Sequence, residues 1–205
     1  MKTIAIVSLK GGSGKSTLAL NLGVAAFLNK KQTVLIDLDP QGSLASWADS
    51  RENKLPDVLS VQASRLTHIL ETAKENNAGI VIIDTGANAE STALAAIRNS
   101  DLVLIPCRSA IFDLQTVKNT SDLANIADKT AFVILNATPA TGTLANEAEA
   151  AITEQGIKVC PWRITQRVAF VHAATGGLGV QEYESGGKAA AEVKNLYRWV
   201  LKQVK

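Results

Sequence analysis

Residues 3–17 read TIAIVSLKGGSGKST. The first six are mostly β-branched or apolar, which predicts a buried strand over residues 3–8. Glycines then occupy positions 11, 12 and 14, and a Lys-Ser-Thr triplet opens a helical pattern that we expect over residues 16–29. A strand, a glycine-rich loop and a helix in this order are the context that a phosphate-binding loop requires.

The residues of this loop match the chemistry of a nucleoside triphosphate. Glycine tolerates the backbone angles that turn successive N–H groups inward, and the N-terminus of the following helix adds unpaired N–H donors. Lys15 can reach the β- and γ-phosphates, Ser16 has the position of a Mg²⁺ ligand, and Thr17 can add a phosphate contact. The predicted phosphate-binding residues are therefore Gly11, Gly12, Ser13, Gly14, Lys15, Ser16 and Thr17.

Beyond this loop, short apolar runs alternate with helical patterns along the chain. Such alternation predicts βαβ units, and hence an α/β fold with a mostly parallel, twisted sheet and helices on both faces. We expect further strands over residues 33–37, 58–62, 80–84, 102–106, 131–136 and 157–160. We expect further helices over residues 64–77, 89–99, 113–127, 143–155 and 189–205. No linker or repeat interrupts the pattern, so the prediction is one domain over residues 1–205, with a basic helical portion from about residue 163.

Acidic side chains follow two of the predicted strands. The loop after residues 33–37 reads DLDPQG from Asp37, and IVIID ends at Asp84. Asp37 and Asp39 are separated by one residue, so in extended backbone they share a face. The four apolar residues before Asp84 predict a buried strand, which places Asp84 at the edge of the sheet where Mg²⁺ is expected. Both loops, in this order after the phosphate loop, predict a site for a nucleotide and Mg²⁺.

The phosphate loop departs from the usual spacing G-x-x-x-x-G-K-[ST]. Leu9 stands where the first glycine belongs, and a second lysine, Lys10, precedes Gly11 and Gly12. The pattern K-G-G-x-G-K-[ST]-T resembles the ParA/MinD superfamily of deviant-Walker ATPases. This resemblance implies a P-loop ATPase fold, and it implies that Lys10 reaches across a homodimer in which two ATP molecules are sandwiched.

The resemblance also assigns roles to the acidic residues and to one asparagine. It implies that Asp39 orients the attacking water and that Asp37 supports the Mg²⁺ region beside Ser16 and Asp84. It places Asn136, which ends the predicted strand over residues 131–136, near adenine; a loop-capping asparagine is the alternative. The segment DTGAN from Asp84 departs from the family's commoner D-x-P-P.

Within the superfamily, the chain resembles short plasmid-type ParA partition ATPases that lack an N-terminal helix-turn-helix domain. The similar blocks cover residues 39–47, 100–116, 166–170 and 186–199. The resemblance implies slow, partner-stimulated ATP hydrolysis, non-specific DNA binding by the ATP-bound dimer, nucleoid association in that state, and a ParB-type or small centromere-binding adaptor. Arg167 corresponds most nearly to a DNA-contacting arginine, and four basic residues are candidates without a motif match: Lys188, Lys194, Arg198 and Lys202.

Charge and composition narrow the classes of protein that remain. Residues 1–150 carry a net charge of −2 and residues 151–205 a net charge of +4. This basic C-terminal part suits a polyanion-binding face, and solvated lysines on a terminal helix are the alternative. No apolar run approaches the roughly 18 residues of a membrane span, and the N-terminal apolar stretch is too short for a secretory signal. The two cysteines, Cys107 and Cys160, are too far apart for a zinc knuckle or an iron–sulfur cluster. We expect a cytoplasmic protein without stable membrane association.

Several functional alternatives stay open. The amphipathic helix over residues 189–205 is predicted to pack on the body, and a membrane-surface helix of the MinD type is the alternative. A conjugation or organelle-positioning ATPase of the same fold has the same motifs. A non-hydrolysing nucleotide switch belongs to a different functional class and is disfavoured by the complete set of Lys10, Lys15, Asp39 and Asp84. A small-molecule kinase or amidoligase of related fold is disfavoured because the sequence shows no second substrate site.

Overall fold

A single parallel sheet forms the centre of the protein. The structure, a computed structural model, describes residues 1–87, 89–109 and 111–204. Its strands pair in the order β3-β2-β4-β1-β5-β6, and every pairing is parallel. The strands are β1 (Lys2–Ile6), β2 (Thr33–Asp37), β3 (Asp57–Ser60), β4 (Ile80–Asp84), β5 (Leu102–Cys107) and β6 (Ala131–Leu135).

Helices cover both faces of this sheet. They are α1 (Lys15–Leu28), α2 (Ser43–Asp49), α3 (Leu66–Glu75), α4 (Glu90–Arg98), α5 (Ile111–Ile126), α6 (Leu144–Glu154), α7 (Val168–Thr175), α8 (Val180–Tyr183) and α9 (Lys188–Gln203). A short 3₁₀ turn, Ala63–Arg65, precedes α3. Buried residues of α1, α2 and α7–α9 pack with one face of the sheet, and those of α3–α6 pack with the other.

Successive side chains along β1 contribute alternately to the two hydrophobic clusters, one on each face of the sheet. Ile4 and Ile6 belong to the cluster that contains α1 and α9, whereas Ala5 and Val7 belong to the cluster that contains α3 and α4. Successive side chains of a strand point to opposite faces, so an apolar run without polar interruption buries both sides. The predicted α/β fold with helices on both faces is therefore confirmed.

One predicted strand is wrong. Residues 157–160 form only an isolated bridge, Val133 with Val159, beside β6. The chain leaves β6 after Cys160 and returns where the Ile164 N–H donates to the Leu135 carbonyl at 2.9 Å. Pro161 explains the break, because proline has no N–H to continue the ladder and restricts the residue before it.

The C-terminal helix packs on the body, as predicted. Val193, Leu196, Tyr197 and Val200 of α9 are buried, and Val204 follows them. Across residues 1–87, 89–109 and 111–204, the structure contains no helix long and apolar enough to span a membrane. The apolar stripe of α9 is used inside the protein, so it is not presented to a membrane in this conformation.

Candidate nucleotide-binding site

Strand register assembles the predicted site at one edge of the sheet. Asp84 is the register partner of Ile6 on one side and of Asp37 on the other. The carboxyl ends of parallel strands lie at the same edge, so the loops after β1, β2 and β4 leave the sheet side by side. The segments that follow Asp37 and Asp84 thereby reach the glycine-rich loop.

The glycine-rich loop has the backbone that its sequence predicts. Gly12 and Gly14 adopt φ angles of +72° and +91°, in the left-handed region that favours glycine. Gly14 is also the N-cap of α1, and its carbonyl accepts a hydrogen bond from the Leu18 N–H at 2.9 Å. The loop therefore turns directly into the N-terminus of a helix, where unpaired N–H groups favour an anion.

The Lys15 side chain lies inside this loop. Its Nζ donates to the Lys10 carbonyl at 3.1 Å, and only 6% of the residue is exposed. Burial lowers the pKa of Lys15, and the nearby carboxylates of Asp84 and Asp39 oppose that change. Lys15 thus carries its amine in a partly desolvated position, where an anionic ligand would gain more from it than at the surface.

Asp84 lies at the base of the site with no hydrogen-bond partner for either carboxylate oxygen. Burial raises the pKa of Asp84 to about 7, and the nearby Ser16 hydroxyl and Lys15 amine, neither of which forms a hydrogen bond to it, lower that pKa only in part. A buried carboxylate without donors is unfavourable unless a cation or a proton compensates it. Ser16 and Asp84 therefore fit a Mg²⁺ ion, which prefers oxygen ligands.

Asp37 has different contacts. Its Oδ1 accepts the Asp39 N–H at 3.0 Å, and its Oδ2 accepts the N–H groups of Leu44 and Ala45 at 3.0 and 3.2 Å. Burial raises the pKa of Asp37, and these three N–H groups oppose the shift. The Asp37 carboxylate therefore accepts free N–H groups in the first turn of α2, whose N-cap residue is Gly42, and a role for Asp37 at the metal stays a prediction.

Asp39 stands at the open side of the site. It is half-buried, and its Oδ1 accepts the Gln41 N–H at 3.0 Å. Gly86 passes close by, since a Cβ added there would lie 3.3 Å from that oxygen. The departure from D-x-P-P therefore leaves a glycine where the segment after β4 meets Asp39. Asn88, in the same segment, lies outside the described residues.

Asn136 contacts the loop rather than open space. Its Nδ2 donates to the Ser13 carbonyl at 2.8 Å, and the residue is 6% exposed. This is the geometry of a loop-capping asparagine, one of the two predicted roles. Contact with adenine stays a prediction.

A cavity of about 1020 Å³ joins these parts. Most of the predicted phosphate-binding residues line it, namely Gly11, Gly12, Gly14, Lys15, Ser16 and Thr17, and Asp39 does so as well. Trp47 of α2 and Thr175 of α7 line its far wall. The other predicted residues of this site are not among the lining residues, namely Lys10, Ser13, Asp37, Asp84 and Asn136.

A buried arginine that sequence reasoning missed ties α2 to the far wall. The Arg51 guanidinium forms two hydrogen bonds to the Glu182 carboxylate, at 2.9 and 3.0 Å, and a third to the Gly177 carbonyl at 2.7 Å. It also stacks over the Trp47 ring, 4.5 Å from the centroid. Arg51 and Glu182 are 131 residues apart and belong to no motif, so the sequence contained no signal for the pair.

The backbones of these two regions are in close contact. Gly177 has a φ angle of +67°, and a Cβ there would lie 2.6 Å from the Ser50 carbonyl oxygen. The Trp47 Nε1–H donates to the Leu178 carbonyl at 3.3 Å. The segment that follows the Asp37–Asp39 loop is therefore held against the end of α7.

The predicted basic residues lie in two environments. Lys188, Lys194, Arg198 and Lys202 are exposed on α9, and their helical spacing places them on one face. Arg167 precedes α7, and its guanidinium donates to Glu192 Oε1 at 2.7 and 3.2 Å. Arg167 therefore enters an intramolecular ion pair, whereas the four α9 residues form an exposed basic face, called the α9 basic face below.

A parallel α/β sheet with a lysine-bearing glycine loop, a helix N-terminus and a buried aspartate on the adjacent strand defines a P-loop nucleotide-binding protein. Residues 4–180 match the family model described as the CobQ/CobB/MinD/ParA nucleotide binding domain. The chain belongs to this family. The resemblance inferred from the loop sequence is thus confirmed.

Similar proteins are known from several bacteria. The chain is 31% identical to the maintenance of carboxysome distribution protein A of Gloeobacter kilaueensis, over 99% of this chain and 94% of that protein. It is 27% identical to protein ParA of Rhizobium radiobacter, over 93% and 91% of the two chains.

Solved structures share the fold. A McdA–ATP complex from Cyanothece superposes with a TM-score of 0.80 at 19% identity and covers 99% of this chain and 96% of that one. A chain of the MinC:MinD cell division protein complex of Aquifex aeolicus superposes with a TM-score of 0.81, also at 19% identity, over 98% of this chain and 96% of that one.

Proposed function

We propose that the protein is a Mg²⁺-dependent ATPase that partitions a cargo along DNA. The observation that carries the proposal is that Lys15 and Asp39 line one cavity, while the unpartnered Asp84 lies close enough to Lys15 to act on its charge. ATP is the substrate, water is the nucleophile, and ADP and phosphate are the products. Hydrolysis of the isolated protein is slow, because none of the described residues at the cavity is a strong base for that water.

Each residue has a role that follows from its contacts. The loop N–H groups and Lys15 bind the β- and γ-phosphates, and Thr17 adds a phosphate contact. Ser16 and Asp84 hold Mg²⁺, which when bound offsets the negative charge of the transferring phosphoryl group. Asp39, half-buried beside the cavity, orients the water.

Dimerisation completes the site in this proposal. Lys10 belongs to the phosphate loop, so its amine can reach a nucleotide held by a second copy placed face to face. Two such copies enclose two ATP molecules, and the homodimer exists only in the ATP state. An adaptor of the ParB or small centromere-binding type then stimulates hydrolysis and resets the cycle.

The α9 basic face binds DNA without sequence preference in this proposal. Its four exposed residues suit phosphate contacts, which dominate non-specific DNA binding. Arg167 joins them only after it exchanges Glu192 for a phosphate. The ATP-bound dimer doubles the basic surface and therefore associates with the nucleoid, while the ADP form returns to the cytoplasm.

A second candidate concerns the cargo rather than the chemistry. Two relatives that match over most of this chain are carboxysome distribution proteins, from Gloeobacter kilaueensis and Halothiobacillus neapolitanus. A positioning ATPase for a protein organelle is therefore as well supported as plasmid partition. A MinD-like membrane role is less well supported, because α9 packs its apolar stripe into the core.

DNA co-sedimentation with ATP, with ADP and without nucleotide tests the proposal. We expect DNA association only with Mg²⁺ and ATP, together with phosphate release that rises when DNA and the adaptor are added. Asp39→Ala should keep the protein on DNA with ATP, because the bound state can no longer be reset. DNA binding that ignores the nucleotide, or vesicle binding instead of DNA binding, would contradict partition-like function.

A further inference from the structure

A side chain at the end of β6 contacts the phosphate loop, which follows β1. Strand β5 lies between β1 and β6 in the sheet. Asn136 follows β6, and its own N–H donates to the Cys107 carbonyl at 2.7 Å, so its backbone is tied to β5. From this anchored position its Nδ2 donates to the Ser13 carbonyl. The sheet thus contacts the loop at a point 123 residues away in sequence.

This contact determines the direction of a loop N–H. The peptide between Ser13 and Gly14 is trans. In a planar trans peptide, the C=O and the following N–H point in opposite directions. Because the Ser13 carbonyl points to Asn136, the Gly14 N–H points the other way, toward the cavity that Gly14 lines.

The contact is also tight. A Cβ on Gly14 would lie 2.2 Å from Asn136 Nδ2, so the amide fills the space that a side chain at Gly14 would need. Ser13 is 3% exposed, and water therefore has little access to replace the donor. Asn136 is not a lining residue of the cavity, which separates it from the ligand.

We propose that Asn136 is a positioning residue that orients the Gly14 N–H toward the phosphates, and that this role is separate from recognition of the base. The inference rests on the proposed binding of ATP at this loop. In this proposal, Asn136 contributes to the affinity for the phosphates. Its loss should therefore weaken the binding of every ligand that carries a polyphosphate, with or without a base.

Binding of two probes to the full chain separates the two roles. Inorganic tripolyphosphate has no base, whereas ATP has one, and both are titrated by calorimetry with Mg²⁺ present. We expect Asn136→Ala to weaken both probes by the same factor, about tenfold, as for the loss of one hydrogen bond at a buried site. A variant that weakened ATP and left tripolyphosphate unchanged, or that weakened neither, would overturn the proposal.

Thr138→Val is the matched control. Thr138 is 3% exposed two residues further along, and its hydroxyl donates to the Ile164 carbonyl at 3.4 Å. Its loss removes a buried hydrogen bond from the same strand end without touching the phosphate loop. The control should bind both probes as the parent does, and equal weakening in Thr138→Val would also overturn the proposal.

A measurement on the unaltered protein serves if Asn136→Ala does not fold. Tripolyphosphate should move the Gly14 amide proton resonance downfield and slow its exchange with solvent. An unchanged Gly14 amide in a protein that binds the probe would overturn the proposal. A parent that bound neither probe would instead refute the proposed function, so the two failures are distinguishable.

Discussion

Two buried aspartates end neighbouring strands, and they differ in what their oxygens contact. Asp37 accepts three backbone N–H groups, whereas neither oxygen of Asp84 has a partner. A carboxylate that is fully hydrogen-bonded stabilises the loop around it, and one without donors destabilises the folded state when charged. Residue identity alone does not separate them, since both are aspartates at the end of an apolar strand.

The first prediction concerns the stability of the nucleotide-free protein. Because the pKa of Asp84 is raised to about 7, the folded protein keeps a proton that the unfolded chain releases near its ordinary value of 3.8. The destabilisation of the folded state by the Asp84 carboxylate is therefore absent below about pH 4, grows as the pH rises, and is complete above pH 7. Asp84→Asn should be more stable than the parent by roughly 1–3 kcal/mol at pH 8.

Denaturant unfolding in a metal chelator at pH 8 and pH 5 checks this prediction. The gain from Asp84→Asn should shrink at pH 5, because the parent carboxyl is then protonated. The variant should also lose Mg²⁺-dependent nucleotide binding. A gain of the same size at both pH values would show that the charge of Asp84 is not its cause.

At the scale of elements, α2 is held at both ends. Asp37 accepts N–H groups in its first turn, and the stack of Trp47 and Arg51 joins its C-terminus to Gly177 and Glu182. We call the contacts among Trp47, Arg51, Gly177 and Glu182 the clasp. The loop with Asp39 directly precedes α2, so the clasp restricts how far that loop can move relative to α7. Of the clasp residues, Trp47 also lines the cavity.

The second prediction is that this clasp contributes strongly to stability. Arg51→Ala should destabilise the protein by about 3 kcal/mol, because the half-buried Glu182 carboxylate loses its charged partner and keeps only the Gly179 N–H. The double-mutant cycle with Glu182→Ala should give a coupling energy above about 1 kcal/mol. Urea unfolding of the four proteins measures both values.

An exposed ion pair provides the control for this cycle. Arg163 contacts Glu149, and the two side chains are 31% and 39% exposed. Arg163→Ala should cost less than about 1 kcal/mol, as for surface pairs in general. Coupling between Arg51 and Glu182 no larger than that of the exposed pair would contradict the clasp.

At the scale of the whole molecule, the cavity and the α9 basic face belong to the same side of the sheet. Helices α1 and α9 pack together in one core, and α1 begins at the phosphate loop. A second copy docked over the loops would therefore bring two basic faces into one particle.

The third prediction tests the dimer. Lys10→Ala should bind ATP as a monomer with little change, because Lys15 and the loop N–H groups remain in place. It should fail to dimerise with ATP, since each nucleotide then lacks the lysine of the second copy. Light scattering with a slowly cleaved analogue measures the mass, and Lys30→Ala, at the far end of α1, is the control.

The fourth prediction tests the DNA surface. Replacing Lys194, Arg198 and Lys202 by glutamine should weaken DNA binding and reduce the slope of log K against log salt by about 2–3, close to 0.9 per lost phosphate contact. Glutamine at Lys74, Arg98 and Lys118 removes the same charge from exposed positions on α3, α4 and α5. Equal slopes for the two triple variants would rule out the α9 basic face.

Local signals predicted the strands and the phosphate loop because their causes are local. The bounds of β2 and β4 match the prediction, because each strand is a continuous apolar run that ends at an aspartate. Helix α2 was not predicted, and α7 and α8 were predicted only as part of a helical portion from about residue 163, without bounds. These helices are short, and their apolar residues form no periodic pattern until they pack against α1 and the sheet. The error at residues 157–160 has the same origin, as strand pairing depends on a partner as well as on propensity.

The amino-acid order by itself determined the parallel α/β architecture and the identities of Lys10, Lys15, Asp39 and Asp84, because periodicity and loop spacing act over a few residues. Only the tertiary structure decided that Asp84 lacks partners, that Asn136 turns to Ser13 and that Arg51 meets Glu182. Those facts depend on strand order and helix packing, which bring together residues more than 100 positions apart. Burial then changes the energy of each charge and hydrogen bond in ways that no local stretch encodes.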